Sequence, residues 1–138
     1  RIKFVGYGPT KGECSDYAMQ NMSKNSIIFI DSIEHKNLSK FYNSLDLFVL
    51  PSYYEALGCV YLEAIACGIP FIGIKGQGIE EWIPDNLKDF YLCAEGDKEN
   101  LSSIIIEHFY GNVIIGDVNY DLSIDYHINN FLQKIKKL

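Results

Sequence analysis

The sequence predicts an α/β domain built on an open, doubly wound, parallel sheet, and two observations predict it. Short runs of β-branched and aromatic residues alternate with segments whose apolar residues recur at helical spacing, the order expected of βαβ units. The 138 residues are about one domain's worth, and 48% hydrophobic against 22% charged is enough apolar material for a packed core.

The strand candidates, in order, are residues 2–6 (IKFVG), 26–30 (SIIFI), 47–51 (LFVLP), 71–74 (FIGI) and 89–94 (DFYLCA), each with turn-forming residues nearby. The clearest helix is EHKNLSKFYNSL, where Leu38, Phe41, Tyr42 and Leu45 fall at i, i+3, i+4 and i+7 and make one apolar face. DKENLSSIIIEHF repeats the stripe with Leu101, Ile104, Ile105, His108 and Phe109, and its Asp97 and Glu99 suit the positive end of a helix. Residues 123–138 predict a last helix with Ile124, Ile128, Phe131, Leu132, Ile135 and Leu138 on its stripe, preceded by a loop over 111–121.

A net charge of −6 argues against duplex nucleic acid as a partner, since binding it needs a basic surface. Lys134, Lys136 and Lys137 read as a solvated helix face. No apolar run reaches about 18 residues, and the start, RIKFVGYGP, is neither a signal nor a transit peptide. The expectation is a soluble, cytoplasmic chain. Cys14, Cys59, Cys67 and Cys93 lack C-x-x-C or Cys/His ligand spacing, so reduced core thiols are expected rather than zinc or redox chemistry.

In sheets of this kind ligands bind at the carboxyl ends of the strands, where helix N-termini present free amides. Three loops there are informative: GYGP after the first strand, SYYEALG after the third and KGQGIEE after the fourth. Gly6-Tyr7-Gly8 alone says little, because a tight turn explains it.

The stretch PSYYEALGCVYLEA carries two glutamates eight positions apart, Glu55 and Glu63. GCVYLEAIAC is apolar nearly all round except for Glu63, and a buried carboxylate must find a cation, strong donors or a ligand. An internal Lys or Arg partner is one answer. The other uses position: in a helix starting near Gly58, the amides of Leu57, Gly58, Cys59 and Val60 form an anion site fit for a diphosphate. Glu63, one to two turns further in, could then accept hydrogen bonds from a vicinal diol, a ribose beside a pyrophosphate. Glu55, on the loop before the helix, would meet a sugar hydroxyl on the far side of the phosphates.

These residues carry a resemblance. LDLFVLPSYYEALGCVYLEAIACGIPFIGIKGQGIEEWI resembles the donor-site signature of retaining glycosyltransferase family 4, of the GT-B fold, with Asp46, Pro51, Ser52, Glu55, Gly58, Glu63, Ala64, Gly68, Pro70, Gly78 and Glu81 in register. IKFVGYGP, IIFIDSI and EGDKENLSSII extend it more weakly over nearly the whole chain. The resemblance implies that residues 1–138 are a single Rossmann-like, nucleotide-sugar-binding domain, the C-terminal half of a GT-B enzyme lacking its N-terminal acceptor domain. It implies that Glu55 contacts the donor sugar as the catalytic carboxylate, Glu63 the ribose, the amides of Leu57 to Val60 the phosphates, and Ile33 the base. It further implies retaining hexosyl transfer to a glycan or lipid acceptor, as in polysaccharide assembly, with no metal and no cofactor beyond the nucleotide-diphosphate sugar, and an isolated chain without activity of its own. For the full-length enzyme alone it leaves room for peripheral association with the inner face of a membrane.

The chain departs from the family pattern at Asp31, Ala56 and Gln77, where the family has glycine, and at Leu57, where it has phenylalanine. Asp31 puts a negative group near the base site. The family's Arg/Lys pair that grips the diphosphate has no counterpart in this chain, and Lys75 is not assigned that role. Two other readings stay open: a related GT-B enzyme such as a nucleotide-sugar epimerase or a phosphorylase, and a non-catalytic nucleotide-sugar-binding module, the latter favoured if Glu55 and Glu63 are both internally paired. His108 is expected at the core edge and His35 and His127 in solvent; Trp82 is expected to pack, and Tyr53 and Tyr54 are the aromatics nearest the site.

Overall fold

In the computed structural model, which describes residues 1–111, β1 (Ile2–Val5) runs parallel to β2 (Ile27–Ile30), with Ile2 opposite Ile27 and Val5 opposite Ile30. The connection is α1 (Lys11–Asn21), which makes the pair a βαβ unit. Phe4 and Phe29 stack across the two strands with centroids 4.9 Å apart, and the amide of Gly6 donates to Ile30 O at 2.9 Å, extending the ladder into the Gly6-Tyr7-Gly8 turn. These elements belong to the first of two units, Arg1–Phe41. α2 (Leu38–Tyr42) follows a 3-10 turn over His35–Asn37 and ends on Tyr42, the first residue of the second unit.

The second unit holds three parallel strands in the order β3 (Phe48–Val49), β4 (Phe71–Ile74), β5 (Leu92–Cys93). α3 (Cys59–Ala66) connects β3 to β4, and α4 (Lys88–Tyr91) precedes β5, which leads into α5 (Lys98–Phe109). Every residue of β4 is buried, as expected for a central parallel strand covered on both faces. Its alternation sorts the core: Phe71 packs with Tyr61, Ile79, Ile83, Tyr91 and Leu92, while Ile72 and Ile74 pack with Cys93 and Ile104. Helices thus cover both faces of the strand, α3 through Tyr61 and α5 through Ile104. Parallel strands connected by helices make this the expected Rossmann-like α/β fold.

Several local expectations need correction. The strands fall into a pair and a triplet, one set in each unit. Residues 88–91 are helical, so the strand read over 89–94 shrinks to Leu92–Cys93. The helix read over 34–45 is a 3-10 turn plus five α-helical residues. α1 was not anticipated, because it buries only Ala18 and so has no apolar stripe to read. By contrast α5 starts where its first turn predicts, with Asp97 accepting from the Asn100 amide at 2.9 Å as its N-cap. The cysteines are all free, but only Cys93 is a buried core thiol, while Cys14 and Cys59 are exposed. The last helix, with Lys134, Lys136 and Lys137, the loop over 112–121 and His127 lie outside the described residues.

Candidate functional site

Six of the seven sequence-predicted site residues, Glu55, Leu57, Gly58, Cys59, Val60 and Glu63, lie in the second unit on the β3-to-α3 loop and the first two turns of α3. Ile33 lies in the first unit, half-buried, three residues past the end of β2. Near it, the anticipated negative charge of Asp31 is matched by an ion pair with Lys11, at the start of α1.

α3 begins at Gly58, whose φ of 71° and ψ of 80° place it in the left-handed region. Glycine alone adopts this without strain, and it offers no side-chain oxygen to the first helical amides. A Cβ at this position would lie 2.7 Å from Tyr61 Cδ2 and 3.0 Å from Glu55 Cγ, so the turn is shaped tightly around its missing side chain. The Tyr61 ring is fully buried and its hydroxyl donates to Leu50 O at 2.9 Å, fixing α3 to the end of β3. Burial first, and the nearby Glu55 charge second, push its phenol far above the ordinary tyrosine range, so it remains a neutral donor.

The loop after β4 closes on the same turn. A Cβ on Gly78 would sit 1.9 Å from Ala56 O, so only glycine lets the two backbones meet. Gln77 Nε2 donates to Ser52 O at 2.7 Å, a tie that the family's glycine could not make, while its Oε1 is buried with no partner among the described residues. Glu80 accepts from the Gly76 amide at 2.6 Å, and this bond, more than its contact with Lys88, holds its carboxyl below the usual range. Glu81, the glutamate in register with the family signature, is exposed.

Glu63 is half-buried, and its partner is neither Lys nor Arg. Tyr42 at the end of α2 donates its hydroxyl to Glu63 Oε2 at 2.9 Å. Among the described residues Oε1 has no hydrogen bond, and Glu55, also half-buried, has neither hydrogen bond nor ion pair. Tyr53 and Tyr54 beside it are 77% and 88% exposed. Trp82 packs against the core around Phe71, as expected. His108 sits edge-on to Tyr91 at 5.5 Å and donates from Nε2 to Phe90 O at 2.8 Å, leaving Nδ1 buried and without a partner among the described residues.

Sequence reasoning missed Tyr42 and Tyr61 as parts of the site. The available signal was chemical: a tyrosine on an apolar stripe carries a hydroxyl that needs a partner once buried.

Comparison with known proteins places the chain in a family. Residues 1–109 match the family Glycosyl transferases group 1. The chain is 34% identical over 102 residues to a sulfoquinovosyl transferase of Arabidopsis thaliana, covering 72% of this chain and 19% of that protein. It is 30% identical over 107 residues to N-acetyl-alpha-D-glucosaminyl L-malate synthase of Bacillus anthracis, covering 78% of this chain and 27% of the other. Among solved structures, HepE of Anabaena in complex with UDP-glucose superposes with a TM-score of 0.69 at 22% identity, over 80% of this chain and 31% of that one. The chain therefore spans under a third of the length of each of these relatives.

Proposed function

Because the chain belongs to the glycosyl transferases group 1 family, we propose that it is the donor-binding part of a retaining glycosyltransferase that moves a hexosyl group from a nucleotide-diphosphate sugar to a glycan or lipid acceptor. The observation that carries the reading is the turn into α3: an uncapped glycine N-terminus with Glu55 just before it and Glu63 inside it, one carboxylate oxygen anchored and the other not. The UDP-glucose held by the Anabaena neighbour supports the same class of donor.

In this reading the diphosphate lies against the amides of Leu57, Gly58, Cys59 and Val60, where the helix dipole favours negative charge. Glu63 accepts from the ribose hydroxyls and Glu55 from a hydroxyl of the transferred sugar. As the bond between the sugar and the diphosphate breaks, charge accumulates on the departing phosphate oxygen. Preorganised amides stabilise it there without a protein nucleophile. The acceptor-binding domain and a basic grip on the diphosphate belong to the remainder of the enzyme, in keeping with the share of its relatives that this chain spans. A non-catalytic module is less well supported, because it calls for both glutamates to be satisfied internally and Glu55 has no partner among the described residues.

Calorimetric titration of the chain with UDP, GDP and ADP tests the reading. One nucleotide is expected to bind weakly, with a Kd on the order of 1 mM. Glu63→Ala should weaken it about tenfold or more, the loss of hydrogen bonds to a charged acceptor worth roughly 1.5–3 kcal/mol. Equal affinity in chain and variant would contradict the ribose assignment.

A further inference from the structure

Tyr42 is buried at the end of α2, with its ring edge-on to Phe48 at 5.8 Å and its hydroxyl 2.9 Å from Glu63 Oε2. The two residues are 21 positions apart, so the contact is made by the fold and by no local turn. Burial, followed by the hydrogen bond to Glu63, pushes the phenol far above its ordinary range, and it stays protonated as a donor.

A carboxylate on a two-carbon stem turns freely unless something holds it. An ionised carboxylate offers about four lone-pair sites over its two oxygens, and Tyr42 occupies one on Oε2. The hydroxyl thereby anchors Oε2 and narrows the orientations the carboxylate can take, leaving Oε1 without a hydrogen bond among the described residues. Orientation of this kind costs nothing at the moment of binding, because the side-chain freedom is already lost in the free protein.

We propose that Tyr42 is a positioning residue that presets Glu63 to receive the vicinal diol of a ribose, and so contributes to discrimination between ribonucleotide and deoxynucleotide donors. The inference rests on the donor-binding reading above and adds to it a residue that touches no ligand.

The test compares UDP with 2′,3′-dideoxy-UDP, by ligand-observed NMR titration, on the chain and on Tyr42→Phe, Glu63→Ala and the double variant. Tyr42→Phe keeps the ring and removes only the hydroxyl. The unaltered chain is expected to prefer UDP by about tenfold, and Glu63→Ala to abolish the preference. Tyr42→Phe should reduce it by about three- to fivefold while leaving dideoxy-UDP affinity unchanged, and should add nothing in the Glu63→Ala background. Should Tyr42→Phe lower the stability too far for titration, Tyr42→Leu, which also removes the hydroxyl and leaves the Glu63 carboxylate in place, should show the same reduction. Full preference in Tyr42→Phe, or equal weakening of both ligands, overturns the positioning role while the donor reading stands. Full preference in Glu63→Ala sinks the donor reading itself.

Discussion

Replacing Gly58 with alanine should cost much more than replacing Gly68, although both glycines have a φ of 71°. The backbone term is shared: a non-glycine residue in the left-handed region costs roughly 1–2 kcal/mol. The surroundings differ. Nothing lies within 4 Å of a Cβ at Gly68, whereas at Gly58 it meets Tyr61 Cδ2 at 2.7 Å and Cε2 at 2.8 Å. That ring cannot step aside cheaply. It is fully buried, its hydroxyl is tied to Leu50 O, and its other side leaves a Cβ at Gly73 only 3.0 Å from the hydroxyl oxygen. Forcing a methyl into such packing costs about 1–3 kcal/mol more. Gly68→Ala should therefore destabilise by about 1–2 kcal/mol and Gly58→Ala by about 2–5 kcal/mol. Trp82, the single tryptophan, packs on the same core and reports the transition by fluorescence in urea. Equal urea midpoints for the two variants would refute the steric argument, and with it the claim that Gly58 is shaped around Tyr61.

Two further outcomes follow from the same geometry. Cys59 is exposed in the first turn of α3, so a bound nucleoside diphosphate should slow its alkylation by iodoacetamide several-fold while exposed Cys14 on α1 keeps its rate; peptide mass spectrometry reads both, and unchanged Cys59 labelling at saturating nucleotide would count against the phosphate site. Burial pushes the His108 pKa below its ordinary 6.5, the bond to Phe90 O only partly opposing it, so below that value the unfolded chain binds a proton that the folded one resists; stability present above about pH 6.5 should fall as the pH drops toward the folded pKa, and His108→Leu should flatten that slope in urea midpoints between pH 7 and 5.5. An identical slope in the variant would assign the loss to other groups.

Elements whose own residues decide their state were legible in the sequence. FIGI is buried on both faces and is the observed β4 residue for residue, and Asp97 caps α5 through its own side chain. α1 was illegible because it exists to connect β1 to β2, and burying a single alanine needs no periodic stripe. The strand propensity of Phe90 and Tyr91 lost to tertiary context: α4 carries Tyr91 into the core beside Phe71 at 5.3 Å. At the site, the spacing of Glu55, Gly58 and Glu63 was visible, since one short segment carries all three. The partners were not. The hydroxyl of Tyr42 reaches Glu63 and Gly78 abuts the Ala56 carbonyl only once β3 and β4 are paired. Local pattern holds no record of contacts across 21 or more positions.

The most direct test of the account is the amide spectrum of the isotopically labelled chain during addition of its preferred nucleoside diphosphate. The account predicts that the largest shifts fall on the amides of Leu57, Gly58, Cys59 and Val60, with smaller ones at Glu63. Shifts clustered elsewhere, with the turn into α3 unmoved, would contradict it.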